Sequence, residues 1–168
     1  MKRIVGFTLV ELLVTMTVMT ILLVLAVVNL RSNEASARDE ERKTDITIIA
    51  QQLENYYEAE VDTGSAGSYP STIAVDTESE VTALLPDLDP KALRAPDVAD
   101  TSAMSFAVAT TNATQTPTIS SYIYQPLKSD GSLCTTNDEG AANECRKFIL
   151  YYLLEVTSGT QTVKSKHQ

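Results

Sequence analysis

The sequence contains no tryptophan and one histidine, His167, next to the last residue. A lone imidazole at a chain end is a poor place for acid–base catalysis. There is no G-x-S-x-G segment and no Gly-rich phosphate loop, so the two commonest nucleophile and nucleotide signatures are missing. The only cysteines are Cys134 and Cys145. Their spacing is too wide for C-x-x-C redox chemistry, and no zinc ligand set accompanies them. Basic residues are scarce: the formal net charge is -9 and the pI about 4.5. That balance argues against nucleic-acid binding through a broad basic face, while leaving room for one local basic patch on an assembled surface. Helix breakers are also missing from the first third. No glycine occurs between Gly6 and Gly64, and no proline before Pro70.

What is present begins with a leader, MKRIVG, carrying Lys2 and Arg3. The apolar run Phe7–Leu30 follows, long enough as a helix to cross a ~30 Å hydrocarbon core. Basic residues before the run, and no comparable cluster at once after it, favour an N-in, C-out orientation. The run also contains a carboxylate, Glu11. A secretory signal would find its A-x-A site at Ala35-Ser36-Ala37, but the run exceeds an ordinary ~7–15-residue apolar region and that site lies well past its end. A plain anchor leaves Glu11 unexplained, because a charge at the centre of a spanning helix costs about 2.5–3.5 kcal/mol on insertion scales, less near an end.

Cleavage after Gly6 accounts for both the glycine and the glutamate. Phe7 then supplies an α-amino group, with Glu11 one helical turn, about 6 Å, further on. An ammonium and a carboxylate in an apolar medium need partners. Each can find the other within one chain, or, in parallel helices staggered by about a turn, Glu11 of one subunit can meet the amino group of the next. Such a pair is a weak stabiliser but a good register device.

The stretch KRIVG/FTLVELLVT resembles the class III leader and mature start of type IV pilins and type II secretion pseudopilins. The resemblance is close over roughly residues 1–60 and looser beyond. It implies cleavage between Gly6 and Phe7 by a prepilin peptidase, N-methylation of Phe7, and an assembly role for Glu11. It implies a pilin-like α+β fold, a long N-terminal helix packed on a small antiparallel sheet. The chain departs from many type IV pilins in having Thr20 where they carry glycine and Val28 where they carry proline. Without those breaks a straighter helix is expected. Thr15, Thr17 and Thr20 are able to hydrogen-bond within or between helices, but the preferred expectation is that they are simply tolerated in the run.

Past Leu30 the chain turns polar but keeps strong helix formers. Ile46, Ile49, Leu53 and Tyr56 or Tyr57 recur at spacings of three and four, marking one buried face. A single helix over 7–60 is expected, about 80 Å long at ~1.5 Å per residue. The charged segment Arg38–Lys43 reads as a solvated surface with pairs such as Asp39–Lys43.

DTGSAGSYP, Asp62–Pro70, ends the helix. Val81–Leu85 reads as a short helical piece stopped by Pro86, and Asp89 as the cap of a second with Pro90 at its first position. Three strands are expected, over Met104–Thr110, Ile119–Gln125 and Lys147–Val156, the last with Phe148, Leu150, Tyr152, Leu154 and Val156 on one face. Loops join them, so an antiparallel sheet is expected to cover the helix stripe. The expected organisation is leader 1–6, apolar helix half 7–30, amphipathic half 31–61 and globular domain 62–168.

In an N-in protein the domain lies outside the cytoplasm, where Cys134 and Cys145 are expected to form a disulfide, typically adding ~2–4 kcal/mol. Disulfide-closed C-terminal loops are also common in type IV pilins. Asp130, Asn137, Asp138 and Glu139 are oxygen donors in that loop, but no EF-hand pattern is present and turn chemistry accounts for them. No metal, no cofactor and no catalytic residue is expected.

The function this points to is a structural subunit of a type IV pilus-like filament. Its partners would be the prepilin peptidase, other pilin subunits and, before assembly, the cytoplasmic membrane; direct nucleic-acid binding is not expected. It would end in an extracellular pilus or a periplasmic pseudopilus. Two alternatives stand beside it: a pseudopilin of a type II secretion system, and a non-polymerising membrane-anchored binding module with an uncleaved leader. A membrane-tethered enzyme finds no recognisable site in the sequence.

Overall fold

The computed structural model describes residues 7–62, 67–96, 98, 104–135 and 145–167. The leader residues 1–6, and with them Gly6, lie outside the described residues. So do Asn137, Asp138 and Glu139 of the acidic loop. The chain forms two compact units, Met1–Ala37 and Arg38–Gln168.

Helix α1 runs Leu9–Asp62 without interruption, through Thr20 and Val28 where a glycine or proline would have weakened it. Within the second unit its stripe is buried as the spacing predicts. Ile46, Ile49 and Leu53 are each almost fully enclosed, and Tyr56 and Tyr57 pack on the edge of the same core. Burying each aliphatic side chain contributes roughly 1.5–3 kcal/mol.

The chain returns to the helix through Tyr69 and Pro70. Tyr69 is buried, its ring edge-on to Phe148, and the Pro70 carbonyl accepts the Tyr124 hydroxyl at 2.7 Å. Helix α2, Glu78–Leu84, starts at Thr77, whose side chain and that of Glu80 cap each other's backbone N–H. It stops before Pro86, as expected. A 3₁₀ turn, Pro90–Leu93, follows, with the Asp89 carboxylate accepting the Lys91 N–H at 2.9 Å. Both elements press apolar residues, Val81 and Leu93, into the core.

The sheet has four strands: β1 Phe106–Val108, β2 Tyr122–Leu127, β3 Lys147–Leu153 and β4 Thr160–Lys164, in spatial order β1-β2-β3-β4. Two expectations are corrected here. The sheet is mixed: β1 and β2 are parallel, while β2–β3 and β3–β4 are antiparallel. A parallel pair needs a crossover, and residues 109–121 supply one without a helix. Buried Gln125 holds that crossover, donating to the carbonyls of Thr111 at 3.0 Å and Ala113 at 2.9 Å. Tyr151 donates to the Gln125 side-chain oxygen at 2.8 Å, so the outer face of the sheet is covered there as well.

The second correction is β4, a strand the hydrophobic pattern does not announce. It is reached by a turn at Gly159, whose φ of 96° suits glycine. Strand β3 ends at Leu153, and Val156, expected on the buried face, is 61% exposed. Phe148 and Leu150 are buried as expected. Pro126 sits in β2 beyond the residues paired to β1, where its missing N–H leaves no gap in a ladder.

Candidate functional site: the N-terminal segment and the clasps of the globular unit

In the first unit the stretch Leu9–Val27 presents an apolar helix surface. Leu9–Val27 has a mean hydropathy of 2.5, and none of it is buried. In water such a surface is unstable; a bilayer or the helices of neighbouring subunits would satisfy it. The three threonines do not interrupt it. Thr15 and Thr17 each donate to a carbonyl three residues back, of Leu12 and Val14, and Thr20 to Met16 four back, at 2.8–2.9 Å. They spend their hydroxyls on carbonyls within the helix, the within-helix form of the hydrogen bonding open to them.

Glu11 is the only ionisable residue between Leu9 and Val27. The backbone around it is tightly arranged. Thr8 caps α1: its side-chain oxygen accepts the Glu11 N–H at 3.2 Å and its carbonyl accepts the Leu12 N–H at 3.2 Å. Glu11 thus stands in the first turn, where a carboxylate complements the helix dipole. The T-x-x-E spacing of Thr8 and Glu11 was available in the sequence as a cap signature. The cap uses the Glu11 N–H, so the carboxylate is left exposed on the helix surface.

Residues 1–27 match the family described as the prokaryotic N-terminal methylation motif. The chain therefore carries a class III prepilin leader and is pilin- or pseudopilin-like in this segment. Such a leader implies processing by prepilin peptidase and assembly with pilin subunits; with the apolar helix, it implies membrane anchoring before assembly. Comparison with curated proteins and with solved structures finds no match.

In the second unit, α1 is clasped to the sheet by charges that the sequence reading placed in solvent. Arg42 is 1% exposed and Asp39 4%. Asp39 accepts the backbone N–H groups of Glu155 at 2.8 Å and Val156 at 2.9 Å, immediately after β3. Arg42 donates to Asp39 at 3.1 Å, to the Glu155 carboxylate at 2.8 Å and to the Ile119 carbonyl at 3.1 Å. Arg38 holds the same carboxylate in a two-pronged grip at 2.7 and 2.6 Å. Burial pushes the Asp39 carboxyl upward, but its two N–H donors and Arg42 outweigh it, and the group titrates below its ordinary value. The Arg38 guanidinium, with Arg42 behind it, holds Glu155 down to about 2. The expected Asp39–Lys43 pair does not form; Lys43 pairs with Glu40 at 2.7 Å.

A second clasp lies further along α1. Buried Glu54 accepts the Tyr69 hydroxyl and the Lys166 N–H, each at 2.8 Å. His167 is stacked on Tyr57, ring centres 4.2 Å apart, and its Nε2 stands 3.6 Å from Glu54. The C-terminal segment is thereby tied to the helix.

The third fastening is covalent. Cys134 and Cys145 form the expected disulfide. The Cys145 carbonyl accepts the Tyr69 N–H at 2.8 Å and the Cys134 carbonyl accepts the Thr72 N–H at 3.2 Å. The bridge closes the β2–β3 connection, and the two cysteine carbonyls hold that connection against the segment that follows α1. Among the described residues no group of three or more His, Cys, Asp or Glu is placed to hold a metal ion. Buried Asp39 and Glu54, and half-buried Glu155, are each committed to holding one element on another.

Proposed function

We propose that this chain is a structural subunit of a type IV pilus-like filament. Prepilin peptidase would cut it between Gly6 and Phe7, Phe7 would be methylated, and the subunit would wait in the cytoplasmic membrane with its globular unit outside. The observation that carries this reading is the pairing of a prepilin leader with an apolar helix surface, Leu9–Val27, of which nothing is buried within the chain. Bilayer contact satisfies that surface before assembly, and the helices of other subunits satisfy it afterwards. Glu11 would set the stagger by meeting the new amino group of a neighbouring subunit, a use of a buried ion pair for register more than for strength. The disulfide-closed connection near the C-terminus favours a pilus over a secretion pseudopilus.

Intact mass and N-terminal sequencing of the protein from a sheared surface fraction test the reading. A start at Phe7 with one added methyl group is the expected result. A start at Arg38 would mean ordinary secretion, and one at Met1 a plain anchor; either removes the reason for Glu11 and overturns the proposal.

A further inference from the structure

The sheet order puts β1 and β4 at opposite edges, and the two edges differ in charge. Beside β1 lies an open groove of about 580 Å³, with Asp76 and Glu78 on its rim and Met104, Phe106 and Val108 along its wall. The stretch that supplies its rim, residues 76–80, carries Asp76, Glu78 and Glu80 and no lysine or arginine. Arg94 pairs with Glu78 at 2.6 Å, and Lys91, two residues past Asp89, pairs with Glu41 at 3.5 Å, which leaves Asp76 as the carboxylate on the groove rim without an ion pair among the described residues.

The far edge is basic. Two hollows there share Lys147. One, of about 420 Å³, is lined also by Tyr57, Ser129, Arg146 and His167; the other, of about 200 Å³, includes Lys164. The β3–β4 register sets Ile149 opposite Lys164, which brings the two lysines to one corner of the sheet. Residues 160–167 carry Lys164 and Lys166 and no carboxylate of their own, while Glu54 of α1 meets the Lys166 N–H. In a chain of net charge -9, Arg146, Lys147 and Lys164 line these two neighbouring hollows.

Copies carrying that net charge repel one another at short range unless patches of opposite sign are apposed. Here each copy offers one patch of each sign, on opposite edges of the same sheet. A contact between unlike edges is heterologous, so each copy that docks presents a fresh edge to the next, and the series need not close. We infer that the edge bearing Lys147 and Lys164 docks against the edge bearing Asp76 and Glu78 of a second copy of this chain. The inference rests on the filament reading and adds to it a contact between globular units, separate from the helix contacts. A lysine on an edge strand, as Lys164 is on β4, also discourages unwanted strand pairing, but a glutamate would do that equally well, so charge reversal there separates the two roles.

The test uses the full-length chain produced with its processing and assembly apparatus. Lys147→Gln with Lys164→Glu alters one edge, Asp76→Lys with Glu78→Gln the other, and a fourth chain combines both. Sheared polymer is measured beside the membrane pool and the start at Phe7. The expected result is a drop in polymer of about tenfold for either edge alone, with recovery in the combined chain. Wild-type levels from both single-edge variants would overturn the docking and leave the filament reading standing. So would a combined chain no better than either, or a basic-edge variant that polymerises normally and loses only the capture of a labelled oligonucleotide. A wild-type chain that starts at Phe7 but yields no polymer removes the filament reading and the docking together. Salt dependence of the wild-type polymer serves as a check independent of the variants' folding: dissociation as salt rises is expected, and an unchanged polymer overturns the inference.

Discussion

Asp39, on α1, and Glu155, just past β3, are joined from both sides. The Asp39 carboxylate accepts the Glu155 N–H at 2.8 Å, and Arg42 bridges the two carboxylates from within the core. The arrangement fixes where the last turn of the sheet sits on the helix. Its electrostatic balance depends on one fully enclosed guanidinium.

Removing that guanidinium leaves Asp39 buried without its cation. Arg42→Ala should therefore destabilise the globular unit by about 3–5 kcal/mol, the range for breaking one side of a buried pair. Arg38→Ala, at a position part-exposed to water, should cost much less. Chemical denaturation of the detergent-solubilised chain, followed by tyrosine fluorescence, measures both. Equal effects would refute the ranking.

The same clasp predicts an acid limb. Asp39 and Glu155 both titrate lower in the folded protein than in the unfolded chain. Their contribution is complete above the unfolded values and is lost as protons bind the native carboxylates. For Glu155 the loss spans pH 4.5 down to about 2. Stability measured from pH 6 to 2 should fall through that window, and Glu155→Gln should flatten the limb. A Glu155→Gln chain with the full acid dependence would refute the assignment.

Asp45 should give the opposite sign. Its carboxyl accepts the Tyr122 hydroxyl at 3.0 Å from a half-buried position. Burial first, with Glu41 and Asp89 adding to it, pushes it up to about 6 against the pull of Tyr122 and Lys91. A folded value above the unfolded one means the native state holds the proton longer. Stability is then lost, not gained, as pH rises from 3.8 toward 6 through this group. Asp45→Asn keeps an acceptor for Tyr122 and removes the charge, so it should raise stability at pH 7 and leave it unchanged at pH 4. Denaturation midpoints at the two pH values check this.

Much of this fold was legible because one physical signal dominates each element. The spacing of Ile46, Ile49 and Leu53 admits one buried face, and Pro86 and Pro90 punctuate the short helical pieces where they stand. Strand β4 was not legible, because in TQTVK only Val163 brings apolar surface to the core. The parallel pairing of β1 with β2 was missed for a different reason: a crossover pinned by one buried glutamine, Gln125, has no periodic signature. Asp39 and Arg42 were misplaced because a charged i,i+3 pair looks the same in water and in a core. What decides between them is Glu155, which no local pattern connects to α1. The leader motif at the N-terminus was more readable, since glycine, phenylalanine and glutamate stand together in sequence.

The disulfide should act on the segment after α1 as well as on its own loop. Its two carbonyls hold Tyr69 and Thr72. Replacing both cysteines by alanine should cost about 2–4 kcal/mol. Hydrogen exchange at the Tyr69 and Thr72 amides should quicken, while exchange at Ile49 on the covered helix face should change little. Uniform acceleration across all three would mean the bridge supports the whole unit and not this junction.

Glu11→Val offers the sharpest separation of fold from assembly. The Thr8 cap engages the backbone N–H of residue 11, so valine leaves the helix start intact. The substitution also makes the span more apolar, which favours insertion. Membrane accumulation and cleavage at Phe7 should therefore be preserved while sheared polymer falls by at least about tenfold, the loss of one register contact per subunit interface. Thr8→Ala supplies the contrast, since it costs the cap about 0.5–2 kcal/mol and leaves the carboxylate in place. Wild-type polymer from Glu11→Val would show that the carboxylate takes no part in register. Loss of the protein from the membrane would place its role at insertion instead.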